Sequence, residues 1–153
     1  MVLDGHGVDV VRVDSGSSAG YLRFGHTDEQ TVIRVMEKAL GDQPSKISLP
    51  ECYGGDGMDL RGEQGSTVLI DDDGTMTGWE QWGPPPPSVT TASGITMGTS
   101  LDELRARYGS RLQVTVSYAN ATAEVPGGIR AQLKGTTGSS LVTSLDAGVE
   151  CGV

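Results

Sequence analysis

The segment Gly16-Ser17-Ser18-Ala19-Gly20 has the G-x-S-x-G spacing that lets a serine project from a sharp strand-to-helix turn as a nucleophile. Such a serine needs a histidine base, and in that arrangement the acid and then the histidine follow well downstream. The two histidines of this chain, His6 and His26, instead flank the segment closely. No helix signal begins at Ser18, and a chain rich in serine and glycine produces the pattern by chance. Ser18 is therefore read as non-catalytic, and no other residue set singles out a catalytic group.

Asp71, Asp73, Gly74 and Glu80 fall at positions three, five, six and twelve of a calcium loop. Position one would be Leu69, which cannot ligate, and the flanking residues alternate as strands do. Asp71-Asp72-Asp73-Gly74 between apolar runs reads as a hairpin turn. His6 and His26 have no partners at metal-ligand spacing, and Cys52 and Cys151 lack a C-x-x-C arrangement, which argues against structural zinc. The two cysteines are either a disulfide or two inert buried thiols. Asn120-Ala121-Thr122 has the form of a glycosylation acceptor, and Asn120 serves equally well as a turn former. No cofactor is implied.

Twenty acidic residues against eleven basic ones give a net charge of −9, which repels phosphate backbones and anionic membranes. Nucleic acid is excluded as an expected partner. Arg105, Arg107 and Arg111 gather at a predicted helix end, where cations favour the exposed carbonyls. No apolar run is long enough for a transmembrane segment. The opening Met1-Val2-Leu3-Asp4-Gly5 has neither the basic start nor the apolar run of a signal peptide, the pattern of a cytoplasmic chain or of a mature form with an added start residue.

The elements that position these residues are read from two similar segments, Tyr21 to Gln30 and Gly94 to Glu103. In each, alternating apolar residues lead into a glycine, then to Thr27 or Ser100 as a helix cap, with Gln30 or Glu103 three residues later in the spacing of a capping box. Helix one is expected from Asp28 to Leu40, with Val32, Ile33, Met36, Ala39 and Leu40 on one stripe and Gly41 as its stop. Helix two is expected from Leu101 to Tyr108, ending at Gly109. Alternation then predicts strands starting at Met58 and at Val68, across Met76 to Trp82, from Leu112 to Tyr118, from Ile129 to Leu133 and from Leu141 to Leu145. The expected fold class is α+β, two tandem helix-then-antiparallel-sheet repeats with both helices packed on one face of the sheet. The expected units are 1–19, a strand and flexible segment; 20–83, the first repeat; 84–93, a proline-rich connector; and 94–153, the second repeat.

Phe24-Gly25-His26-Thr27 with Gln30, and Met97-Gly98-Thr99-Ser100 with Glu103, resemble the β-lactamase inhibitory protein family and the related small barrel-assembly lipoproteins. The chain is also similar to uncharacterised exported bacterial proteins. The resemblance implies an extracytoplasmic or secreted, non-catalytic protein that binds another protein, as an interaction or inhibitor module. The expected alternative is an enzyme or a small-molecule or lipid-binding protein with a site in the groove between the repeats. Export implies a Cys52–Cys151 disulfide, the one intramolecular pairing two cysteines allow. The binding residues are expected to be Asp71, Asp72 and Asp73 at the hairpin tip with Trp79 and Trp82 on the strand leaving it. Adjacent carboxylates repel one another, and tryptophan is enriched at binding hot spots.

Overall fold

The computed structural model describes residues 1–11, 15–40, 44–48, 55–59, 65–83 and 90–148. In chain order the elements are β1 (Val2–Leu3), β2 (Gly7–Val11), β3 (Ser18–Arg23), α1 (Glu29–Leu40), β4 (Ser45–Ser48), β5 (Gly55–Asp59), β6 (Ser66–Asp71), β7 (Met76–Trp82), β8 (Thr90–Thr91), α2 (Leu101–Tyr108), β9 (Gln113–Ser117), β10 (Asn120–Val125), β11 (Ile129–Lys134) and β12 (Leu141–Gly148). An eight-stranded sheet runs in the order β4-β5-β6-β7-β12-β11-β10-β9, and a four-stranded sheet in the order β3-β2-β1-β8. The large sheet is antiparallel throughout; β1 and β8 form a parallel pair in the small one.

Alternation dictates which face of the large sheet is buried. Val68, Trp79, Ala123, Val125, Ile129, Ala131, Leu145 and Ala147 point to one side, into the same core as Leu3, Val8, Val10 and Leu22 of the small sheet and Val32, Met36, Leu101 and Leu104 of the helices. The Trp79 indole fixes the distance between the sheets. It is fully buried, and its Nε1 donates to the carbonyl of Asp4 at 2.6 Å. Asp4 lies in the turn between β1 and β2, and neighbouring Gly5 presses backbone to backbone on the β10–β11 turn. A Cβ at Gly5 would stand 1.5 Å from the carbonyl oxygen of Gly127, so only glycine fits there.

This architecture corrects the expected α+β repeat. Among the described residues the chain is mostly β, with two sheets and two short helices, and it is not a two-repeat helix-then-sheet arrangement. The two helices also sit in different surroundings. Helix α1 packs on β2 and β3 of the small sheet, where Gly20 leaves room for Val35. Helix α2 leans on the turn after β8, with Arg107 and the Tyr108 hydroxyl both donating to the Ser93 carbonyl. The physical reason is the small sheet itself. Two of its strands are two residues long and carry no periodicity, so β1 gives no signal ahead of the strand read in 1–19, and β8 falls within the segment read as a connector.

The helix starts are a local success with one shift. Ser100 caps α2 in a reciprocal capping box, its hydroxyl accepting from the Glu103 N–H at 3.2 Å while the Glu103 carboxylate accepts from the Ser100 N–H at 2.7 Å. Hydrogen bonds from Ser100, the backbone N–H first and the hydroxyl second, hold the Glu103 carboxyl below its ordinary range. Ser100→Ala is expected to cost about 1 kcal/mol in urea unfolding; a loss below about 0.3 kcal/mol would show that the box does not hold α2. In α1 the cap is Asp28, whose carboxylate accepts from the Thr31 N–H at 2.9 Å. Thr27 accepts instead from the Arg23 N–H at 2.7 Å and pairs through its carbonyl with the Met76 N–H, which draws it into the sheet and moves the helix start by one residue.

Candidate functional site

The face of the large sheet turned away from the core carries two polar rows, set by strand register. Directly opposed residues share a face. One row reads Thr115, Thr122, Gln132, Ser144 and Trp82 across β9, β10, β11, β12 and β7. The next reads Gln113, Glu124, Arg130, Asp146, Glu80 and Thr67. In the first row the Thr122 hydroxyl donates to Gln132 Oε1 at 2.8 Å, which fixes the amide so that its NH2 end points away from Thr122. Trp82 is 41% exposed at the end of this row, an aromatic ring set beside hydrogen-bonding side chains.

The second row is held by an ion pair. The Arg130 guanidinium donates through Nε at 2.7 Å and also through Nη2 to the same carboxylate oxygen of Asp146. The two side chains are only 18% and 17% exposed. Burial pushes the Asp146 carboxyl above its ordinary range, while the hydrogen bonds and positive charge of Arg130 pull the other way. Glu80 lies directly opposite Asp146 on the neighbouring strand. Beyond it an open depression of about 300 Å³ is bounded by Arg111, Gln113, Glu124, Pro126 and Arg130 at the β10–β11 end of the sheet.

The residues expected to form one surface are not brought together. Asp72 and Asp73 are exposed at the β6–β7 turn, whereas Asp71 is partly buried and its carboxylate accepts from the Thr75 N–H at 2.7 Å. That turn receives the start of α1, because the Glu29 N–H donates to the Gly74 carbonyl at 2.8 Å. Trp79 is in the core on the opposite face. Trp82 is exposed, but it stands at the far end of β7, roughly 20 Å from the tip for a strand of this length. Cys52 and Cys151, with the pairing expected of them, lie outside the described residues, as do residues 84–89 of the connector.

Sequence reasoning missed the rows on the sheet face. Thr122, Gln132 and Ser144 are ordinary polar residues until cross-strand register aligns them with Trp82. The alternation of polar with apolar residues in β10, β11 and β12 was the available signal for the face, though not for its order. Ser18 opens a strand rather than an elbow, and its hydroxyl donates to Asp9 at 2.7 Å. His6 and His26 are exposed and stand in separate turns. Tyr21 donates to both carboxylate oxygens of Asp4 at 2.9 Å; burial first, then this hydrogen bond and the Asp4 charge, push its phenol up to about 12. Among the described residues no group of three or more His, Cys, Asp or Glu side chains is placed to hold a metal ion. No helix among them is long and apolar enough to cross a membrane.

No protein-family model matches the chain, and no curated protein matches it. Among solved structures it is similar to the uncharacterized protein yfeY from Escherichia coli, with 13% sequence identity and a TM-score of 0.56, over 97% of this chain and 100% of that one. At that identity the likeness is one of fold alone.

Proposed function

We propose that this is a non-catalytic, extracytoplasmic binding protein whose outer sheet face receives another protein, with Trp82 as the central contact. The observation that carries the reading is the register that sets an exposed tryptophan at the end of the Thr122-Gln132-Ser144 row. A flat, hydrogen-bonding face with an aromatic anchor is the composition of protein-binding surfaces, where tryptophan dominates the energy. The Gly25 and Gly98 segments that resemble the inhibitory proteins favour the same role. The acidic tip is assigned to holding α1 rather than to the partner.

The test is a pull-down from an extracytoplasmic fraction with the native chain, Trp82→Ala and Asp72→Lys, followed by affinity measurement on the captured protein. Trp82→Ala is expected to weaken binding by at least about 30-fold, the effect of a hot-spot side chain, while Asp72→Lys leaves the equilibrium affinity within about threefold. A partner that binds Trp82→Ala as tightly as the native chain would overturn the assignment of this face.

A further inference from the structure

We infer that two copies of this chain associate edge to edge through β9, antiparallel about Thr115, to make one continuous sheet across the pair. Strand β9 closes one edge of the large sheet, and three of its features fit a second copy of itself.

The first is the direction of its backbone groups. Ser117 and Asn120 face each other across the two-residue turn Tyr118-Ala119, and such a turn is closed by a hydrogen-bonded pair. Bonded and non-bonded pairs alternate along an antiparallel ladder. Gln113, Thr115 and Ser117 therefore direct their N–H and C=O groups to β10, and Val114 and Val116 direct theirs outward.

The second is that, among the described residues, no device blocks pairing at this edge. Natural edges are blunted by charge, proline, bulges or shortness. At the opposite edge β4 is four residues long, carries Lys46 and follows Pro44. Across Leu112 to Tyr118 there is no charge and no proline, and β9 pairs with β10 without a register shift.

The third is self-complementarity. Antiparallel pairing about Thr115 sets Val114 against Val116 of the second copy and Val116 against its Val114, so the four outward amides and carbonyls bond in two symmetric pairs. Both valines lie on the sheet face that carries Ala121 and Ala123, so the apolar layers of the two copies join. Val116 is 57% exposed and Tyr118 fully exposed, and pairing covers apolar surface that the single chain leaves in water. No charge opposes a like charge within the strand, which matters in a chain of net charge −9. The contact is isologous and closes on itself, so it stops at two copies.

Sedimentation equilibrium of the native chain is expected to show a concentration-dependent dimer. Val116→Pro removes an outward donor and leaves the β10 ladder intact, and Val116→Lys places a charge in the seam. Both should keep the native circular dichroism and raise the dimer dissociation constant by at least about tenfold. Register is read separately by cysteine crosslinking. Thr115→Cys brings two thiols together at the two-fold axis, at a Cα separation of about 4.5 Å that a disulfide spans, whereas Gln113→Cys leaves them roughly 13 Å apart. Preferential dimer crosslinking at Thr115→Cys supports the arrangement. A chain that stays monomeric at about millimolar concentration, a dimer unchanged in both folded Val116 variants, or equal crosslinking at 113 and 115 would overturn it.

Discussion

Trp79→Ala is expected to destabilise the chain by about 4 kcal/mol, the largest effect of any single substitution in the core. The side chain is fully buried and links the two sheets through an indole hydrogen bond, since its Nε1 reaches the Asp4 carbonyl across 75 positions of sequence. Truncation leaves both a cavity and a carbonyl without its donor. For a chain of this length the melting temperature should fall by about 8–16 °C. Trp79→Phe separates the two causes. It keeps most of the ring volume and loses the N–H, so it should cost about 1–2 kcal/mol. Urea unfolding followed by the fluorescence of the remaining Trp82 measures both variants. A Trp79→Ala loss below about 1.5 kcal/mol would mean that the sheets are not held together at this point.

Removing the cation from the charged row comes next in size. Arg130→Ala leaves the Asp146 carboxylate without its cation in a setting that is less than one-fifth exposed, and breaking such a pair costs about 3 kcal/mol at neutral pH. The pH dependence follows from the direction of the Asp146 shift. Its folded value already lies above the ordinary one, so the stability it contributes is full below the ordinary carboxylate value and is lost as pH rises through the folded value. Without Arg130 the folded value rises further. The penalty in Arg130→Ala should therefore shrink as the pH is lowered from 7 towards about 4. The double replacement Arg130→Met with Asp146→Leu removes both charges and should return to within about 1 kcal/mol of the native chain. Equal destabilisation of Arg130→Ala at both pH values would show that the loss arises from packing rather than from the unpaired buried charge.

The parts of the molecule legible in the sequence are those whose signals are local. The capping box at Ser100 and Glu103, the extent of α2, the hairpin at Asp71–Gly74 and the alternation of β9, β11 and β12 all depend on residues within a few positions of one another. The fold class was misread because its decisive feature is non-local. Residues 2–3 pair with residues 90–91, and a two-residue strand has no pattern to detect. Once the small sheet exists, the apolar face of α1 has a surface to cover that the repeat reading did not supply. The same limit applied to the candidate site. Trp79 and Trp82 are three positions apart, and an odd offset along a strand puts them on opposite faces, one in the core and the other beside Ser144. Alternation predicts that separation. The alignment of Trp82 with Ser144, Gln132 and Thr122 depends on β7 lying next to β12, which nothing in the neighbouring residues announces.

The parallel pairing of β1 with β8 also constrains the order in which the chain assembles. Residues 2–3 are made well before their partners at 90–91 and the Gly127–Gly128 turn against which Gly5 rests. Strand β1 therefore waits without its β8 partner until residues 90–91 have been made. Closing such a long loop carries an entropic cost that is recovered only when the late contacts form. The β2–β3 hairpin and the large-sheet hairpins join nearby segments and can form as they emerge, so the docking of β1 beside β8 is expected to follow them.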